Sequence, residues 1–150
     1  MKKYNIAVVG ASGNVGREIL NILDFRTFPF KEIYALASSK SEGQKIVYGN
    51  DKEAIIKDLE KFEFKNVDIV FSSAGSEVSK KFIPKAVKSG AIIIDNTSCF
   101  RMHKDVPLIV PEVNSEDLKY FRKKKIIANP NCSTIQMVMA LKPIHDLFEI

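Results

Sequence analysis

Apolar residues in this chain gather in short β-branched runs separated by stretches of helical period. Tyr4–Val9, Glu32–Ala37, Asp68–Ser72 and Ala91–Asp95 read as buried strands. Ile126-Ile127 reads as another, stopping at about Asn129 because Pro130 cannot donate to a ladder. After Gly16 the apolar positions become Ile19, Leu20 and Leu23, one face of a helix. A second helix is predicted from Ser76, its cap, to about Ser89. It buries Phe82, Ile83, Ala86 and Val87, is closed by Gly90, and tolerates Pro84 only near its start. From Ser133 onward Met137, Ala140, Leu141, Ile144 and Phe148 fall on one side of a helix and Ile135, Val138 and Met139 on the other. Weaker alternation marks Lys45–Tyr48 and Ala54–Leu59. An apolar run at Val106–Val110 leads through a turn at Pro111–Asn114 into a short helix from Ser115 to about Arg122, capped by Asn114 or Ser115. Strands alternating with helices predict an α/β, Rossmann-like, doubly wound fold: a mostly parallel sheet with right-handed crossovers and helices on both faces.

Composition narrows the class without changing that picture. With 150 residues, 45% hydrophobic and 27% charged, the chain is sized and balanced as one globular domain. The net charge of +5 is spread along the chain, and its one tight run, Arg122–Lys125, has no interleaved aromatics. It reads as a solvated patch before a strand, so no nucleic-acid partner is expected. Cys99 and Cys132 form no CxxC pair, and the apolar run of the N-terminus is broken by Asn5 and Gly10. No signal-peptide core or membrane span is read, and reduced thiols in the cytoplasm are expected. His103 and His145 lack metal-ligand spacing, so no metal is expected.

Chemistry enters where strands end. The first strand runs into Gly10–Gly16 (GASGNVG) and then a helix. Gly10 permits a tight turn, Gly13 lets backbone approach a pyrophosphate, and Gly16 permits close helix–sheet contact. The spacing is GxxGxxG rather than GxGxxG, and taken alone it suits a ligand-free turn equally well. Past the second strand lie Ser38, Ser39, Lys40 and Ser41, with no acid before Glu42. A carboxylate there would hydrogen-bond a ribose 2′-hydroxyl and repel a 2′-phosphate, whereas a cation among hydroxyls suits a phosphomonoester. NADP(H) is therefore the expected cofactor. Cys132 lies between a strand end and a helix start, where free N–H groups and the helix dipole favour a thiolate. A lone cysteine is more often an inert packed residue, but the polar neighbours Asn131, Ser133 and Thr134 make a poor packing niche. Because Gly10, Ser38–Ser41, Ser73–Gly75, Asn96–Arg101 and Asn131-Cys132 each follow a strand, a parallel sheet would bring them to one edge.

NPNCST at Asn129–Thr134 resembles the active-site segment of aspartate-semialdehyde dehydrogenases. The segments GASGNVGRE, LASSKS, FSSAG, DNTSCFRM, VPLIVPEVN and IIANPNCST resemble that family's in order and spacing. The resemblance implies NADPH-dependent reductive dephosphorylation of aspartyl-4-phosphate to aspartate semialdehyde through a Cys132 thioester, on the route to lysine (through diaminopimelate), threonine and methionine. It implies NADP contacts from Ser12, Gly13, Asn14, Val15, Lys40 and Ser41, with Ser73 and Gly75 in the same cofactor site. Arg101 would bind phosphate, and backbone N–H groups near Asn131 and Cys132 would face the oxyanion. Cys99 stands where the family more often has alanine and reads as a filler. Family members are about twice this length, the second half bringing a general-base His, a substrate-binding Gln and Arg, and the surface of a homodimer or dimer of dimers. The expectation is thus the cofactor-binding half, with little turnover alone. The nearest enzymatic alternative, N-acetyl-γ-glutamyl-phosphate reductase, typically reads NPGCYPT at the cysteine; a non-catalytic NADP-binding module is the other.

Overall fold

A computed structural model describes residues 2–150. Seven strands form one sheet: β1 (Tyr4–Val9), β2 (Phe30–Ala37), β3 (Lys45–Tyr48), β4 (Lys52–Asp58), β5 (Ile69–Ser72), β6 (Ile92–Asp95) and β7 (Ile126–Ala128). Their spatial order is β3-β4-β2-β1-β5-β6-β7. Every pairing is parallel except β3 with β4, an antiparallel hairpin at one edge. The four α-helices are α1 (Asn14–Phe25), α2 (Ser76–Lys88), α3 (Pro111–Asn114) and α4 (Cys132–Phe148), and a 3-10 segment spans Ser115–Lys123.

Side-chain alternation along β1 explains the two layers. Ile6 and Val8 point into a core with Leu20 and Leu23 of α1, whereas Ala7 and Val9 point into a core with Phe82, Ile83 and Ala86 of α2. Helices thus cover both faces, as the α/β pattern predicts. Gly16 sets how closely α1 approaches: a Cβ there would fall 2.2 Å from the Gly10 carbonyl oxygen and 2.7 Å from Ala11 Cα.

Several local expectations are corrected. Ser76 is not the cap of α2; Gly75 holds that place, and the Ser76 hydroxyl instead shares a hydrogen bond with that of Ser98 at 2.8 Å. Pro84 sits well inside α2 rather than near its start. It is exposed, as is Lys80, so the carbonyl deprived of its N–H partner lies on the solvent side and the helix continues. Asn114 precedes the 3-10 segment but does not cap it. Its amide turns back, accepting from the Val110 N–H at 2.9 Å and donating to the Leu108 carbonyl at 3.0 Å. Val106–Val110 forms no ladder beyond a single bridge from Leu108 to Ala128, yet Val106, Ile109 and Val110 are buried beside the sheet.

The last helix departs most from a doubly wound packing. No residue of α4 is buried, and Met137 (55%), Ile144 (46%), Leu147 (77%) and Phe148 (73%) remain open to solvent. Its apolar residues on both sides are partnered by neither core.

Candidate active site

Six strands run parallel, so their carboxyl ends share one edge, and a row of backbone hydrogen bonds stitches that edge together. Leu59 N–H donates to Ala37, Gly10 to Leu36, Ser73 to Val9, Asn96 to Ser72 and Asn129 to Asp95, all at 2.8–2.9 Å. Each post-strand residue thus begins its loop from a fixed point on its neighbour. The glycine turn and the Cys132 turn lie at the ends of β1 and β7, three strand spacings or roughly 14 Å apart. Between them lie the ends of β5 and β6.

At the β1 end, Gly10 takes φ +86°, and a Cβ would meet the Ser73 hydroxyl at 2.8 Å and the Ala74 nitrogen at 3.0 Å. Gly13 is different. Its backbone is extended, and a Cβ would meet only the Gly10 carbonyl oxygen, at 3.4 Å. The fold itself has no need of glycine at position 13. The open space beyond belongs to a cleft of about 680 Å³, large enough for a cofactor-sized molecule. Gly10, Ser12, Gly13, Ser38 and Ser73 line it. Asn14 and Val15 are exposed on the first turn of α1, and Gly75 is exposed at the start of α2; none of the three forms the cleft wall. Gly16 is buried beneath the turn and acts in packing.

Past β2, residues Ser39–Ser41 form a 3-10 turn, with the Ser41 N–H donating to the Ser38 carbonyl at 2.9 Å. This turn places Ser38 and Ser39 in the wall and leaves Lys40 and Ser41 outside it. The weakly patterned stretch after Lys45 also contributes: Leu59, Glu60, Phe62 and Phe64 line the cleft. Phe62 meets Phe64 edge-on with ring centres 5.1 Å apart, and Phe64 stacks on Phe82 of α2 at 5.7 Å. The signal available was the Phe-x-Phe spacing itself, which puts both rings on the same side of an extended segment.

At the β7 end, Asn131 caps α4, its Oδ1 accepting from the Ser133 N–H at 2.9 Å. Cys132 is the first helical residue and is exposed, with Sγ 3.9 Å from Asn131 Oδ1. The Arg101 guanidinium reaches the same turn. Its Nε donates to the Asn129 carbonyl at 2.9 Å and its Nη2 to the Asn96 carbonyl at 3.1 Å. Two carbonyls at adjacent strand ends thus fix the guanidinium plane and leave three of its five N–H groups for an anion. Asn129 Nδ2 bonds Asn96 Oδ1 at 2.6 Å and ties the two loops further.

Beneath this loop lies a buried polar chain that the sequence did not announce. Asp95, fully buried, accepts from the Thr97 N–H at 3.1 Å, the Thr97 hydroxyl at 2.9 Å and the Ser79 hydroxyl at 3.4 Å. Ser79 in turn meets Ser72 at 2.7 Å, and Thr97 Oγ1 accepts from the Cys99 N–H at 3.2 Å. Cys99, on the same loop, is half-buried, and burial, and then the Asp95 charge, push its thiol up. Among the described residues no group of three His, Cys, Asp or Glu side chains could hold a metal ion, and no helix is long and apolar enough to cross a membrane.

Comparison with known proteins points the same way. Residues 5–121 match the family described as semialdehyde dehydrogenase, NAD binding domain. An aspartate-semialdehyde dehydrogenase of Rickettsia conorii is 54% identical over 149 residues, covering 99% of this chain and 44% of that protein. The chain therefore spans less than half the length of this relative. Among solved structures, aspartate semialdehyde dehydrogenase II of Vibrio cholerae complexed with ASA superposes with a TM-score of 0.93 at 48% identity, covering 97% of this chain and 47% of that one. The Candida albicans enzyme, solved with NADP, gives a TM-score of 0.78 at 26% identity over 98% of this chain and 48% of its own.

Proposed function

Since the chain belongs to the semialdehyde dehydrogenase NAD-binding domain family, we propose that it is the NADP(H)-binding, nucleophile-bearing half of an aspartate-semialdehyde dehydrogenase. The observation that carries this reading is the shared strand-end edge, where the Gly10–Gly13 turn and the Cys132 turn stand about three strands apart with the Arg101 guanidinium beside the latter. That spacing suits a ligand held by its phosphates at one end and reacting at the other. The whole enzyme would act in the reductive direction on aspartyl-4-phosphate, giving aspartate semialdehyde and inorganic phosphate, in lysine, threonine and methionine biosynthesis.

Each residue has a definite task in this reading. Gly13 leaves room for the pyrophosphate, and the N-terminal amides of α1 face its charge. Ser38 and Ser39, with Lys40 and Ser41 at the rim, receive the adenosine 2′-phosphate. When bound, the nicotinamide supplies or accepts the hydride. Cys132, as thiolate, attacks the acyl carbon; its sulfur–carbon bond forms as the carbon–oxygen bond to phosphate breaks, leaving a thioester. The negative charge that develops on the carbonyl oxygen during the attack faces N–H groups of the α4 first turn. The free N–H groups of Arg101 hold the departing phosphate, and in the reverse direction steer it in. Asn131 orients the turn by capping it.

The chain has no tryptophan, so the reduced cofactor's own fluorescence reports binding without interference. NADPH is expected to bind more tightly than NADH, and Lys40→Glu to invert the preference. Equal affinities for the two would remove the 2′-phosphate argument. Turnover by these 150 residues alone is expected to be negligible, because the general base and substrate clamps of the family lie in the other half. Robust phosphate-dependent turnover would overturn that assignment of parts.

A further inference from the structure

We propose that Lys81 and Lys85 of α2 are a second set of determinants for the 2′-phosphate, acting from the cleft that Ser38 and Ser39 also line. The inference rests on the NADP(H) reading above and extends it to residues that reading does not use. Both lysines line the same cleft as Ser38 and Ser39, whereas Lys40, the cation expected from sequence, stands outside its wall. They are four residues apart on one helix, so their side chains share a face.

Their charge is also uncommitted. Among the described residues neither ammonium forms an ion pair, while nearby Lys61 is held by Glu42 at 2.9 Å and Asp58 at 3.6 Å. Glu60 is the one carboxylate in the cleft lining, so the two lysines leave that wall with net positive charge. Much of the rest of the lining is apolar, with Phe62, Phe64, Val78 and Phe82. Low-dielectric walls concentrate the field of a charge into the space they enclose, so cations here act on a ligand at longer reach than on an open surface. A dianionic phosphomonoester gains from that field; the ribose 2′-hydroxyl of NADH gains almost nothing. The lysines are thus selective for the phosphorylated cofactor rather than sticky toward both.

The test is a set of titrations on the 150-residue protein with NADPH and NADH, and with adenosine 2′,5′-bisphosphate against AMP to isolate the adenosine end. Lys81→Gln/Lys85→Gln is expected to raise the NADPH Kd about tenfold and that of adenosine 2′,5′-bisphosphate alike. NADH and AMP should move less than twofold, and the salt dependence of NADPH binding should flatten. Lys81→Glu/Lys85→Glu should deepen the loss. Both side chains are exposed, and an unchanged urea midpoint verifies that folding is intact. An unchanged NADPH-to-NADH ratio in the double variant, or a parallel loss of both, overturns the inference. If wild-type protein binds NADPH and only Lys40→Gln moves the ratio, the inference fails while the cofactor reading stands. If wild type binds neither nucleotide, both fall.

Discussion

Two glycines of one turn should fail in opposite ways when given a methyl group. At Gly16 the added Cβ would fall 2.2 Å from the Gly10 carbonyl oxygen and 2.7 Å from two further backbone atoms. None of these is the end of a flexible side chain, so α1 must shift away from β1 and loosen Leu20 and Leu23 in their core. Overpacking of this kind costs about 1–3 kcal/mol, and rigid backbone neighbours put Gly16→Ala near the upper end. The helix-propensity gain of alanine over glycine, under about 1 kcal/mol, offsets part of it. A net loss of about 2 kcal/mol, with a urea slope of about 2 kcal/mol/M, lowers the unfolding midpoint by about 1 M. At Gly13 the same methyl meets only one oxygen, at 3.4 Å, and the backbone is already extended. Gly13→Ala should shift the midpoint by no more than about 0.3 M, since the substitution is worth only a few tenths of a kcal/mol either way. Its methyl does, however, enter the space assigned to the pyrophosphate in the proposed cofactor site, and a clash of about 2 kcal/mol there is a loss of about 30-fold in NADPH affinity. The assay is urea unfolding paired with NADPH titration for each variant. Wild-type affinity in Gly13→Ala, or a wild-type midpoint in Gly16→Ala, would refute the division of labour.

Three further outcomes follow from the site and its supports. Iodoacetamide at pH 7 should alkylate exposed Cys132 at least about tenfold faster than half-buried Cys99, read by peptide mass spectrometry; equal rates would contradict the burial that raises the Cys99 thiol. Asp95→Ala should destabilise by about 3 kcal/mol, because it strips the buried Thr97 and Ser79 donors of their acceptor, and a loss below about 1 kcal/mol would mean the network is incidental. Asp24 is held below its usual value of 3.8 by Lys52 and by the Asn50 N–H, so its contribution is complete above that value and disappears as pH falls through the lowered one. Asp24→Asn should therefore be less stable than wild type at pH 6, with the gap closing toward pH 2; a gap that persists in acid would assign the effect to shape rather than charge.

How much of this was legible beforehand depended on which physical signal each residue sends. β1 is buried on both faces over its last four residues, β5 and β6 are buried on one face and half-buried on the other, and their β-branched runs announce them within a residue. Gly10 and Gly16 were readable because a tight turn and a close helix leave few alternatives to glycine. The β3–β4 hairpin was faint: one face of each strand is open, with Val47 and Ile55 exposed, so the alternation is diluted by apolar residues on the wet side. Leu59, Phe62 and Phe64 give no cleft signal because apolar side chains in a loop read as core, and Phe64 is indeed core. Lys40 was read from its place in sequence, but the geometry of a 3-10 turn decides which of four consecutive residues faces inward. Capping failed at Ser76 and Asn114 for a related reason: each side chain has a competing hydrogen-bond partner outside the helix it would cap, Ser98 and Val110 respectively.

The helix that begins at Cys132 is anchored at its first turn only. Asn131 and the hydrogen bonds around Asn129 pin its first turn, while the turns beyond rest on neither core. Such an element opens locally at little free-energy cost, so amides along 136–148 should exchange with deuterium long before those of β1. The Cys132 sulfur sits at the hinge of a lever whose long arm rests on neither core, so whatever covers that arm sets the direction in which the sulfur points.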